Sequence, residues 1–160
     1  MKSKILYPVF IILCFSMIFG MAACSSEPAE NPFPDAMKST ADIDHIDVAF
    51  TAELQSDHVV KARFTNNTAD RTLYYDGTYS VDYSYKGEWY NIYSLAIEDV
   101  MLPESEALKI EPSRSDSVTV DLEKILTKTP PKGHYRIVKD IQFSYGSSSS
   151  DTIAAEFDIK

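Results

Sequence analysis

The side chains with chemistry to offer in this 160-residue chain are two cysteines, three histidines, twenty-four carboxylates and ten tyrosines. Cys14 lies inside an apolar run, whereas Cys24 directly follows Met21-Ala22-Ala23, the small residues that a signal cleavage point requires. The chain beyond Cys24 has no thiol, so neither a disulfide nor a thiolate metal site is expected there. His45, His58 and His134 stand at no ligand spacing from one another, and no H-E-x-x-H pattern occurs. Glu104 with Glu106, and Asp42 with Asp44 and Asp47, lack the D-x-[DN]-x-[DN]-G loop of calcium sites and read as solvated acidic surface. No serine sits in G-x-S-x-G, and Ser147 to Ser150 read as part of a flexible loop. The expectation is therefore no catalytic residue, no metal and no cofactor. What remains is aromatic: seven of the ten tyrosines fall between Tyr74 and Tyr93, with Trp89 among them. Aromatic faces bind sugars and peptides, and tyrosine tolerates half-exposure. Tyr75, Tyr79 and Tyr83 share a parity whose opposite is polar, which assigns them to a core. Tyr74, Tyr90 and Tyr93 are the candidate surface-binding aromatics.

The elements that must position these residues begin with the N-terminus. Lys2 and Lys4 precede an almost unbroken apolar run over residues 5–19. That run is short of the ~20 residues a comfortable membrane span needs, so it reads as a secretory signal. Its order, ending in Met21-Ala22-Ala23-Cys24, resembles the lipobox of bacterial lipoproteins, with Met21 where that pattern usually has Leu. The resemblance implies that 1–23 is a removable signal peptide and that Cys24 is lipidated, with palmitate-type acyl chains. It also implies a lipid-anchored protein on the extracytoplasmic face of the cell membrane. An ordinary signal peptide or an uncleaved anchor is the alternative. A bacterial export signal also makes Asn66-Asn67-Thr68 a poor glycosylation acceptor despite its matching triplet.

Removing residues 1–23 takes away two lysines and no acid, so the formal charge goes from −9 to −11. A surface this acidic repels phosphate backbones and excludes nucleic acid as a partner. It also argues against an electrostatic grip on anionic lipid, which leaves the N-terminal lipid as the membrane contact. Residues 24–44, with Pro28, Pro32 and Pro34 among acids, read as a disordered tether. Residues 45–160 are enough for one core.

Within that domain the hydrophobic period is two. Ile46, Val48, Phe50, Ala52 and Leu54 alternate with Asp47, Ala49, Thr51 and Glu53. Val60, Ala62 and Phe64 follow, then the long run from Leu73 to Tyr85, in which Asp76-Gly77 offers a bulge or bend. Lys86-Gly87-Glu88 makes a tight turn into Trp89 to Tyr93. Leu108 with Ile110, Val118 to Leu122, Tyr135 to Ile141 and Ile153 to Ile159 complete the set, with one helical turn at residues 123–126. Residues 94–107 settle on no period. The pattern predicts an all-β antiparallel sandwich of seven or eight strands, with a closed barrel as the alternative.

Several pieces look familiar together. Pro131-Lys132-Gly133-His134-Tyr135-Arg136-Ile137-Val138-Lys139 resembles a P-G-x-Y-R-I-V-K signature, Lys86-Gly87-Glu88-Trp89-Tyr90 a D-G-x-W-Y turn, and Asn66-Asn67 the turn closing a second strand. In this order, over residues 46–159, they resemble the bacterial immunoglobulin-like domains of Gram-positive lipoproteins. The resemblance implies an immunoglobulin-like β-sandwich, with Tyr135 as a tyrosine corner. It implies a membrane-tethered extracellular binding or positioning module of the cell envelope without catalysis, whose partner would be an envelope protein or polysaccharide. The rival expectation is a lipid-anchored protease inhibitor, with the loop from Tyr145 to Asp151 or from Thr127 to Lys132 entering a protease.

Overall fold

The computed structural model describes residues 28–41, 43, 47–95, 108–146 and 149–160. The domain is a two-layer antiparallel β-sandwich. Its smaller sheet has the order β2-β3-β8, from Val48–Leu54, Val59–Asn66 and Ser115–Asp121. Its larger sheet runs β1-β6-β5-β9-β4-β7, with β10 paired to β9. These strands are Met37–Lys38 (β1), Leu73–Tyr75 (β4), Tyr79–Tyr85 (β5), Glu88–Leu95 (β6), Leu108–Ile110 (β7), Gly133–Gln142 (β9) and Asp151–Ile159 (β10). The single helix, α1, spans Leu122–Leu126 and is N-capped by the Asp121 side chain, which accepts from the Lys124 amide.

Period-two alternation produces the core directly. Val60 and Ala62 from one layer meet Val81, Tyr83, Tyr135, Ile137 and Phe157 from the other, and Phe64 meets Leu73, Ile110, Ile141 and Ile153, all of them buried. The intervening residues of β2 and β3 point to solvent. Val48, Phe50, Ala52 and Leu54 take the inward parity, as the alternation predicts; Ile46 lies outside the described residues. Burying a large apolar side chain contributes about 1.5–3 kcal/mol, so this inner face holds the layers together.

Two places add strands to the expected seven or eight. The run from Leu73 to Tyr85 breaks at Asp76, whose Oδ1 accepts from the amide and hydroxyl of Thr78. That Asx turn bends the chain between β4 and β5 while both still pair with β9. The bend anticipated at Asp76-Gly77 is thus a full strand break. The other addition lies within the tether assigned to residues 24–44, of which residues 29–39 are held against the domain. Phe33 is only 8 % exposed and packs on the Tyr83 ring at 5.2 Å. The Tyr85 hydroxyl donates to the Ala29 carbonyl at 3.0 Å, and β1 pairs with β6. The Ser39 amide donates to the Trp89 carbonyl at 2.8 Å. One aromatic anchor and a few backbone hydrogen bonds outweigh the extended bias of the prolines. Residues 29–39 therefore form a strap across one end of the sandwich.

The remaining turns follow from their residues. Lys86 and Gly87 both take positive φ (51° and 76°), as a two-residue type I′ hairpin turn requires. The tyrosine corner is present: Tyr135 is fully buried and its hydroxyl donates to the Pro131 carbonyl four residues upstream.

Candidate functional site

Tyr74 lies between Leu73, which is fully buried, and Tyr75, so the pleat turns it to the outer side of β4. Register places Tyr74 beside Gln142 on β9. After Gln142 the chain turns at residues 143–146, where Gly146 takes a φ of +74° and Tyr145 stands 66 % exposed. The two rings meet at 5.6 Å with planes 52° apart. They form one wall of a cleft of about 280 Å³, completed by Asp76, Asp140, Gln142 and Ser150. Among the described residues, neither phenol oxygen of the pair has a hydrogen-bond partner.

The floor is fixed from beneath by Lys139. It occupies the inward parity of β9, between Ile137 and Ile141, and is 4 % exposed. Its ammonium donates to the Asp76 carbonyl at 2.6 Å and the Thr78 carbonyl at 2.8 Å, and lies 5.0 Å from the Tyr75 ring centroid. Burial pushes its pKa down to about 8, against the opposing pull of Asp76 and Asp140. Asp76 Oδ1 is engaged by Thr78, and Asp140 Oδ1 accepts from Thr152 Oγ1 at 2.7 Å, so one carboxylate oxygen of each acid remains for the cleft.

The other sequence-predicted aromatics are not here. Tyr90 packs on the main core and against Tyr85, and Tyr93 packs against Tyr79 at 6.0 Å. Three residues apart, they would face opposite ways on a regular strand. A bulge between Val81 and Asp82 leaves Ile92 unpaired, so Tyr90 sits opposite Tyr83 and Tyr93 opposite Val81. Both are half-buried contributors to the interior, which corrects their reading as surface residues. Of the three, Tyr74 lines this cleft. Its companion Tyr145 and the carboxylates across from it carry no spacing signal in the sequence. The one hint is Gly146, which marks the turn. Cys24 lies outside the described residues.

A second polar constellation lies on the outer face near the strap. Asp82, fully buried, accepts from Arg136 Nε at 2.8 Å and from Asn91 Nδ2 at 3.2 Å. Arg136 Nη2 donates to Ser39 Oγ at 3.1 Å, and its guanidinium lies 4.5 Å over Trp89. Trp89 in turn contacts His134, whose nitrogens meet Asp158 at 2.8 Å and Glu156 at 2.9 Å. Partial burial disfavours the charged imidazole, but the two carboxylates outweigh it and raise its pKa above 6.5.

The remaining candidates take structural places. His58 pairs with Glu123 and Asp47 with Arg71. His45, Asp42, Asp44, Glu104 and Glu106 lie outside the described residues. Among the described residues no three potential ligands gather around a metal position. Asn66 is fully buried, bonding the carbonyls of Arg71 at 2.7 Å and Ile110 at 3.0 Å, so it braces a turn. The segment from Thr127 to Lys132 is tied inward at both of its last carbonyls, by the hydroxyls of Tyr135 and Tyr83.

No curated protein matches the chain closely enough to lend it an activity. The family described as bacterial Ig-like domain matches residues 44–158. With two antiparallel layers, a tyrosine corner and that match over most of its length, the chain belongs to the bacterial Ig-like domain family.

Proposed function

We propose that this protein is a lipid-anchored binding module on the extracytoplasmic face of a Gram-positive-type cell membrane, holding the Tyr74–Tyr145 cleft toward an envelope ligand. Its fold supports a binding or structural role in general. The Met21-Ala22-Ala23-Cys24 sequence supports anchoring. No catalytic step belongs to the reading.

The observation that carries it is the placement of strap and cleft. The strap docks at the Tyr83–Tyr85 end of the large sheet, and the cleft sits where β9 ends at Gln142. From Gly133, level with Tyr85 and the Ala29 end of the strap, to the cleft residues Asp140 and Gln142 is seven to nine residues of β9, or roughly 23–30 Å at about 3.3 Å per residue. With Ala29 held to Tyr85, only residues 25–28 separate the strap from Cys24. At ~3.3–3.6 Å per residue that linker reaches less than about 20 Å. A lipid on Cys24 would thus set the strap end near the bilayer and the cleft away from it.

Fractionation of cells expressing Cys24→Ser tests the anchor. Loss of acyl labelling and release from the membrane are expected. Retained label on the variant would overturn it.

A further inference from the structure

We infer that the Tyr74–Tyr145 cleft is a glycan subsite, one that takes an uncharged pyranose unit and rejects anionic polymers. The inference rests on reading the cleft as the binding site and adds the class of ligand. Four features point to a sugar. The wall is a pair of accessible aromatic faces at 52° to each other, and a pyranose ring presents a face of C–H groups to such a surface. The polar groups around it are those that bind hydroxyls: open carboxylate oxygens on Asp76 and Asp140, the Gln142 amide, the Ser150 hydroxyl and two phenols. Among the described residues the lining includes no aliphatic side chain, which is what the anchor residue of a peptide would require. The volume, about 280 Å³, lies just below the usual range for small-molecule pockets and suits a short stretch of a longer chain.

The charge pattern sets the selectivity. Asp76 and Asp140 face the cleft, and among the described residues that line it there is no cation. Lys139 lies below, its ammonium buried, directed at the carbonyls of Asp76 and Thr78 and 3.9 Å from Asp76 Oδ1, so it offsets one of the two acids and leaves the pair net negative. A phosphate or uronate entering here meets like charge. The site is also preorganised. Tyr74, Asp140 and Gln142 stand on paired strands, and Asp76 is held by its Asx turn and by Lys139.

The test uses the full chain in detergent, titrated by calorimetry and by amide chemical shifts. The probes are three neutral hexasaccharides, of β-linked glucose, of β-linked N-acetylglucosamine and of mannose, and an oligogalacturonate of equal length. At least one neutral hexamer is expected to bind and to shift the amides of residues 74–76 and 140–146. Tyr145→Ala and Tyr74→Ala should each weaken that binding about tenfold or more at an unchanged melting temperature, and the oligogalacturonate should not bind. Failure of all three neutral hexamers, binding that survives Tyr145→Ala, or preferential binding of the galacturonate would each overturn the inference. A peptide library that yields Tyr145-dependent ligands while every glycan fails would retain the cleft as a binding site and remove only its sugar assignment.

Discussion

The two ends of the large sheet treat polar side chains in opposite ways. At the strap end, Asp82, Asn91, Arg136, Trp89, His134, Glu156 and Asp158 face one another across neighbouring strands, in hydrogen bonds or ring contacts. At the cleft end, Tyr74 and Tyr145 offer unbonded phenols, and Asp76 and Asp140 each keep an open oxygen. A network that satisfies itself has little left for a ligand and works for the fold. A cluster held in place from behind, with its donors and acceptors still open, is built to meet something else. Among the described residues every buried side-chain nitrogen and oxygen has a partner, so the openness of the cleft is confined to accessible atoms.

The sharpest way to break this comparison is to remove one member from each end. Asp82→Ala leaves Arg136, itself 6 % exposed, as an uncompensated buried charge. Such a loss typically costs about 3–5 kcal/mol. Tyr145→Ala removes a ring that is 66 % exposed and should change stability by under about 0.5 kcal/mol. Urea unfolding of both variants gives the answer. Comparable losses would mean that the cleft end is as structural as the strap end.

The strap supplies the next largest effect. Phe33→Ala gives up about 1.5–3 kcal/mol of apolar burial and frees residues 29–39 from the Tyr83 ring. The amides of Ala36 and Ser39, hydrogen-bonded at 3.1 and 2.8 Å, should then lose protection from hydrogen exchange while β9 and β10 keep theirs. Unchanged exchange at Ser39 would show that the strap is held by its backbone alone.

Gly133 connects the strap end to the tyrosine corner. Its φ is +154°, and an added Cβ would lie 2.5 Å from Tyr83 Cε2. The Tyr83 ring has little room to yield between Phe33 at 5.2 Å and Tyr135 at 5.0 Å. Gly133→Ala should therefore cost about 1–3 kcal/mol by overpacking, read as a lower urea midpoint. The double variant Gly133→Ala with Tyr83→Phe would relieve the contact at the hydroxyl, 2.8 Å away, and should recover part of the loss. No recovery would place the strain on the ring carbons, Cε2 at 2.5 Å and Cζ at 3.0 Å, or in the backbone rather than at the hydroxyl.

Much of the sandwich is legible in the sequence because a pleated, half-buried strand writes its own pattern. Val60, Ala62 and Phe64, or Ile153, Ala155, Phe157 and Ile159, are inward for the plain reason that they alternate. The turns at Lys86-Gly87 and Asp76-Gly77 are legible from their residue types. The misplacement of Tyr90 and Tyr93 has one cause: a bulge changes parity in mid-strand, and nothing local to residues 90–93 announces it. The strap hides because its composition argues for disorder, while one aromatic residue decides otherwise. The cleft was half legible. Tyr74 stands out by parity, but Tyr145 meets it only because Tyr74 pairs with Gln142. The Asp82–Arg136 ion pair joins residues 54 apart, a contact that only strand pairing defines. Lys139 did leave a trace, as a cation on the apolar parity of Tyr135, Ile137 and Ile141.

The smallest expected effect is a pH dependence that separates the two ends by sign. The His134 pKa is raised in the folded state by Asp158 and Glu156, against the contrary pull of partial burial. A raised pKa contributes stability that is fully present below the unfolded value, near 6.5, and is lost as pH rises through the folded value. Lys139 behaves oppositely. Its folded pKa of about 8 lies below the ordinary 10.5, so its contribution is present above 10.5 and lost as pH falls through about 8. Stability should consequently decline as pH rises from 6.5 through the folded His134 pKa, and climb again from about 8 toward 10, above which the phenols of Tyr75, Tyr79 and Tyr135, their pKa values raised by burial, oppose the climb. The His134 part is small, because the imidazole side chain is 40 % exposed and such pairs contribute at most about 1 kcal/mol. Subtracting the urea-midpoint profile of His134→Gln from that of the parent isolates it. The difference should be largest below pH 6.5 and vanish at higher pH. A difference that instead grows with pH would mean that the neutral imidazole, packed on Trp89, is the form the strap end prefers.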